Sequence, residues 1–182
     1  MQQSIILRET PHWRPVPPRL QLEKETSPLI ASWILERGSL TRRLAEECAQ
    51  DVRVELLQQL YQCALLPETR ILGLRHPHLA VVREVALRAS GVPMLLARSI
   101  LPRETIVRAD RRLWRLGEVP LGEILFNHPQ LGRRSLEYAR IRLRPGSFGI
   151  PGTEKIWGRR SVYTLGEDAP LLVAEFFLPS LL

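Results

Sequence analysis

At 182 residues and 45% hydrophobic composition, the chain is sized for one domain that buries its core without metal or disulfide staples; Cys48 and Cys63, with no CxxC pair, read as free thiols of a reducing compartment. Ile5-Ile6-Leu7 is shorter than a signal-peptide core of roughly 7–15 apolar residues, and no stretch reaches the roughly 20 of a membrane helix, so a cytoplasmic location without a membrane span is expected. The 26 basic and 19 acidic residues leave a net charge of +7, spread along the chain, which suits nucleic acid or a small polyanion as partner.

Residues 1–25 hold Pro11, Pro15, Pro17 and Pro18 around Trp13 and read as an extended arm on the surface, leaving 26–182 as the folded domain. Ser27 and Pro28 start a helix in which Leu29, Ile30, Trp33 and Ile34 recur at helical spacing until Gly38. Ser39-Leu40-Thr41 restarts a short helix through Leu44 and Cys48. Val52, Val54 and Leu56 alternate as in a strand, and Thr69 to Leu74 is a weaker second strand. Ala80 to Ala89, a turn at Ser90-Gly91, and Pro93 to Leu101 form the clearest hairpin. A helical stretch from Ala109 to Leu116 stops at Gly117, and another helix begins after Pro120. Leu136 to Leu143 reads as a strand, and residues 144–154 as a Gly/Pro-rich loop. Trp157 to Leu165, a turn at Gly166-Glu167-Asp168, and Pro170 to Leu178 make a second hairpin. Hairpins with helices collected in two places predict an α+β fold, a single antiparallel β-sheet with helices packed on one side.

Alternate residues of a strand share a face. Arg83 therefore sits in the apolar row Val81, Val85, Leu87; Arg98 sits among Met94, Leu96 and Ile100; and Glu175 sits among Leu171, Val173 and Phe177. A buried unpaired charge costs several kcal/mol, roughly, so each of these groups needs a partner. Two arrangements satisfy them: a buried ion pair of Arg83 or Arg98 with Glu175, or a closed polar pocket that receives a small carboxylate. Pro120-Leu121-Gly122 adds a helix start whose first amides have no intrahelical acceptor and can face an anion. His12, His76, His78 and His128 each neighbour a proline and are too scattered for a metal site, and no Ser-His-Asp or Cys-His set is present. The basic stretch Arg108 to Arg115 reads as a solvated helix face.

Pro120-Leu121-Gly122 leading to Leu125-Phe126, then Trp157-Gly158-Arg159-Arg160-Ser161, then Glu175-Phe176-Phe177-Leu178-Pro179 resembles the chorismate pyruvate-lyase family. The Arg83-Glu84 strand leading to Gly91-x-Pro93 fits the same order of motifs, and the likeness spans about residues 27–179. The resemblance implies a monomer with an internal ligand cavity under helical flaps. It also implies a cofactor-independent carbon–oxygen lyase that splits chorismate into 4-hydroxybenzoate, a quinone precursor, and pyruvate. By motif, Arg83 would bind the ring carboxylate with help from the Leu121 amide, and Glu175 would hold the 4-hydroxyl. Leu40 would be the flap residue, and Arg98 would line the site for the enolpyruvyl carboxylate. Two departures stand out: the family's flap residue is often methionine, and the 144–154 loop looks longer than the family's usual connection.

Two other readings remain. Ligand-sensing domains of some bacterial transcription regulators resemble the same fold and bind effectors without reacting; residues 1–25 are too short for the winged helix that normally precedes such domains. A nucleic-acid-binding module would rest on the net charge and the 108–115 patch, and no nucleic-acid partner is expected.

Overall fold

The computed structural model describes residues 4–48, 51–144 and 155–182. Seven strands form one antiparallel sheet: β1 (Arg14–Pro15), β2 (Val52–Cys63), β3 (Leu79–Ala89), β4 (Val92–Pro102), β5 (Leu131–Arg142), β6 (Lys155–Leu165) and β7 (Pro170–Phe177). Their order across the sheet is β1-β5-β6-β7-β4-β3-β2. The two expected hairpins are there, β3–β4 and β6–β7, and they meet where β4 pairs with β7 at the centre. Helices α1 (Arg19–Glu25), α2 (Pro28–Leu35) and α3 (Leu40–Cys48) pack on one face over Val85, Leu87, Leu95 and Phe177. On the same face, α5 (Arg103–Arg108), a 3-10 turn at Arg111–Arg115 and α6 (Leu121–Phe126) cover Val81, Leu101, Tyr163 and Val173. The α2 start forms as the sequence requires, with the Ser27 hydroxyl accepting from the Ile30 amide and Pro28 in the first turn. No helix among the described residues is long and apolar enough to cross a membrane.

Three local expectations are corrected. Thr69 to Leu74 is not a strand: residues Leu66–Ile71 form helix α4, because Pro67 suits a first turn and the Glu68 carboxylate accepts from the Leu65 amide. The helix expected over Ala109–Leu116 shortens to the 3-10 turn, capped by Asp110 accepting from the Arg112 amide, and α5 precedes it. The N-terminal arm is neither wholly extended nor confined to the surface. Residues 19–25 are helical, Arg14 and Pro15 extend the sheet edge beside Tyr138 and Glu137, and Ile6 and Leu7 are buried. The Gly/Pro-rich loop expected at 144–154 lies, except for Arg144, outside the described residues.

The second face of the sheet is covered by the N-terminal segment and by α4. Ile6 and Leu7 pack on Ala86, Leu96 and Phe176, while Ile71 and Leu72 pack on Val82, Ile100 and Leu172. A buried ionic cluster sits in this layer. Arg98 donates to both Glu68 oxygens at 2.6 and 3.0 Å and to Glu84 at 2.8 Å. Glu84 also accepts from the Ser4 hydroxyl and, at 2.9 Å, from the Ile5 amide. Burial works against the Arg98 charge, but the hydrogen bonds and charges of Glu68 and Glu84 prevail and raise its pKa.

Two of the four arginines at 108–115 have an acidic neighbour. Arg112 pairs with Asp110 at 2.6 Å, Arg108 lies 3.8 Å from Asp168, and Trp114 packs 5.4 Å from the Tyr61 ring.

Removing one member of the buried cluster strands the others. Arg98→Met is expected to lower the unfolding free energy by about 3–5 kcal/mol, measured by urea denaturation at neutral pH, because two buried carboxylates lose their counter-charge. A loss under about 1 kcal/mol, the range of an exposed pair, would show that water reaches the cluster.

Candidate active site

The largest structural correction concerns Arg98. A two-residue turn at Ser90-Gly91 pairs Ala89 with Val92 and Arg88 with Pro93. Carried on without interruption, that register would set Arg83 directly opposite Arg98. Instead Leu87 pairs with Leu95, leaving Met94 as a bulge, and the register moves by one. A one-residue shift turns every later side chain to the other face. Arg83 therefore faces Ser99 across the ladder, and Arg98 faces Glu84 on the opposite side of the sheet. Arg98 does not line the cavity that holds Arg83; it is the centre of the ionic cluster beneath it.

The cavity lies between the sheet and the helices, with about 530 Å³ of atom-free space including its opening to solvent. Its floor is Arg83, Val85 and Leu87 from β3, Leu95, Ala97 and Ser99 from β4, Val173 and Glu175 from β7, and Tyr163 from β6. Its roof is Ser39, Leu40 and Thr41 at the start of α3, with Pro120, Leu121, Gly122, Leu125 and Phe126 at and within α6. Arg83, Glu175, Leu121 and Leu40, singled out from the sequence, thus share one enclosure. The two roof pieces touch closely: a Cβ on Gly122 would lie 2.7 Å from the Ser39 Oγ.

The sheet register spaces the two charged groups. Glu175 pairs with Ala97, which pairs with Val85, two residues along β3 from Arg83. Two inter-strand steps and one two-residue step put their Cα atoms about 12 Å apart. Between them β4 presents only Ala97 and Ser99, so the floor is hollow there. Arg83 and Glu175 thus flank Ala97 and Ser99 on the cavity floor.

Arg83 is 2% exposed. Its Nη2 donates to the carbonyls of Gly117 and Val119, both at 2.9 Å, and its Nε to Gly117 at 3.3 Å. Gly117 adopts φ +53, a left-handed conformation that glycine adopts without the steric cost a side chain brings, and so curls both carbonyls onto the guanidinium. Pro120 then starts α6, whose first amides lack intrahelical acceptors. Among the described residues Arg83 has no carboxylate partner, and its Nη1 makes no hydrogen bond. Desolvation pushes its pKa down to about 10, so it stays charged at neutral pH but lacks a counter-ion. The buried Arg83–Glu175 or Arg98–Glu175 pair allowed by the strand pattern does not form.

Glu175 is paired by a residue the sequence reading left without a role. Arg159, directly opposite it on β6, donates from Nε to Glu175 Oε2 at 2.7 Å. The Glu175 side chain is 12% exposed, so it does not face open solvent. The same row rule would have found Arg159, which interrupts Trp157, Ser161 and Tyr163 on one strand face. Tyr163 and Ser99 were also missed, since a tyrosine or serine in an apolar row carries no warning. Among the described residues, no three His, Cys, Asp or Glu side chains gather as metal ligands would.

The chorismate lyase family model matches residues 16–182. A protein of Methylococcus capsulatus described as a probable chorismate pyruvate-lyase is 46% identical over 160 residues, 84% of this chain and 96% of the relative. One of Aromatoleum aromaticum, described in the same words, is 36% identical over 187 residues, covering 97% of this chain and 98% of the relative. Among solved structures, the effector domain of PhnF from Mycobacterium smegmatis has a TM-score of 0.58 at 15% identity, over 80% of this chain and 91% of that one. That likeness shows a shared fold. The matched motifs, including the cavity residues Arg83, Leu121 and Glu175, lie inside the family match, and the chain belongs to the chorismate lyase family.

Proposed function

We propose that the chain is a cofactor-independent carbon–oxygen lyase that converts chorismate to 4-hydroxybenzoate and pyruvate, acting as a cytoplasmic monomer that supplies a quinone precursor. The observation that carries this reading is Arg83, buried in the cavity wall without a carboxylate among the described residues, with Glu175 across the hollow floor. Arg83 binds the ring carboxylate through its uncommitted Nη1, helped by the Leu121 amide. Glu175 accepts from the C4 hydroxyl through Oε1, leaving Oε2 with Arg159. Leu40 closes the ring from above.

The reaction breaks the C3–O ether bond and the C4–H bond. Its electron pairs become the ring's third double bond and the pyruvate carbonyl, and the C4 hydrogen ends on the enolpyruvyl methylene, which becomes the pyruvate methyl. Aromatisation drives this downhill, so the protein has to align the ether with C4–H, exclude water and stabilise the departing enolpyruvyl group. With Arg98 on the other face, the second carboxylate falls to the lid, where the α6 amides and the Ser39 and Thr41 hydroxyls supply donors.

A second reading is a binding domain that holds an aromatic acid without converting it, supported by the fold shared with the PhnF effector domain. Purified protein mixed with chorismate separates the two: the lyase releases equal amounts of 4-hydroxybenzoate and pyruvate, and the binding domain releases neither. Arg83→Ala and Glu175→Ala are each expected to lower kcat/KM by about a hundredfold or more while the circular dichroism spectrum is retained. Activity within a few-fold of the unaltered protein would remove both residues from the site. Gly122→Ala, whose new Cβ meets Ser39, is expected to raise KM for chorismate by propping the two roof pieces apart; steady-state kinetics would detect it.

A further inference from the structure

Glu175 is useful to a ring hydroxyl only if its carboxylate is held in one orientation, and the residue that holds it has a second attachment. Arg159 is 1% exposed and spends its Nε on Glu175 Oε2. Its Nη1 turns toward the C-terminal end of α2, donating to the carbonyls of Trp33 and Ile34 at 3.3 Å and of Glu36 at 2.6 Å. Carbonyls left over at a helix C-terminus carry a local negative potential that favours a cation. Three residues after Glu36 the chain enters the Ser39-Leu40-Thr41 segment that roofs the cavity. One guanidinium thus joins the acidic group on the cavity floor to the base of the lid. The two tasks use two different nitrogens in a rigid fork, a combination that a lysine ammonium cannot reproduce. The backbone keeps the pair in register: a Cβ on Gly158, next to Arg159, would lie 2.8 Å from the Glu175 carbonyl oxygen, so β6 and β7 admit no side chain there.

We propose that Arg159 is a positioning residue that aims Glu175 at the substrate's ring hydroxyl and makes that aim depend on the closed lid. The assignment rests on the aromatic-acid reading of the cavity. Benzoate and 4-hydroxybenzoate differ only in the group that Glu175 would contact, so the ratio of their Kd values, measured by titration calorimetry, isolates that contact. The unaltered protein is expected to favour 4-hydroxybenzoate. Arg159→Gln is expected to lose about tenfold of that preference, with benzoate affinity held by the untouched Arg83. Arg159→Lys, which keeps the charge but has one nitrogen for both tasks, is expected to fall between the two. A ratio unchanged in both variants overturns the proposal, as does an equal loss for both acids, which a merely structural role would give. If circular dichroism shows that Arg159→Gln does not fold, the Arg159→Lys ratio decides alone. Unaltered protein that neither converts chorismate nor binds either acid defeats the functional reading itself. Conversion by the unaltered protein with an unmoved ratio in the variants defeats only the Arg159 assignment.

Discussion

A guanidinium buried without a counter-ion among the described residues is the constraint around which the cavity is arranged. Arg83 lies in the middle of β3, a strand paired on both sides, and among the described residues only two backbone carbonyls partly offset its desolvation. Those carbonyls come from the loop at 117–119, so the loop's left-handed glycine and the helix start that follows it are shaped by the arginine's need for acceptors. The same arrangement leaves one side of the fork facing the cavity. On the proposed function, a carboxylate entering there would supply a counter-ion, with binding energy available because the desolvation cost is already met in folding.

The two faces of the sheet treat buried charge differently. On the inner face of the β3–β4 hairpin, Arg83 has no carboxylate partner among the described residues; on the outer face, Arg98 is saturated by Glu68 and Glu84. The saturated cluster fastens α4 and the N-terminal segment to the sheet, since Glu68 belongs to one and Ser4 and Ile5 to the other. Closed ionic networks rigidify a structure but offer nothing to a ligand, whereas an unmatched ion is held ready for one. Arg159 stands between these cases, paired through Nε and Nη1 yet placed so that one of its partners reaches the cavity.

Much of this was legible in the amino-acid order. The rule that alternate strand residues share a face marked Arg83 and Glu175, and the Pro120 helix start marked Leu121. It also marked Arg98, and there it failed for a reason outside its scope. Alternation holds for Leu96, Arg98 and Ile100 but breaks at Met94, which packs on the other face, and it could not supply the register between strands. Met94 carries no bulge signal of its own, being neither glycine nor proline, and the hairpin turn by itself points to the other register. The weak strand assigned to Thr69–Leu74 failed similarly, because a short helix held by packing on Val82 and Ile100 is decided by its neighbours more than by its own propensities.

By itself, then, the order of residues determined the α+β class, both hairpins, the helix starts at Ser27-Pro28 and Pro120 and the identity of the charged groups that interrupt apolar rows, because periodicity and turn chemistry are local properties of the chain. Which of those charges meet was decided only in three dimensions. One extra residue in β4 sends Arg98 away from the cavity, and the β6–β7 pairing brings Arg159 to Glu175. Both depend on hydrogen bonds between residues distant in the sequence, which a local pattern does not encode.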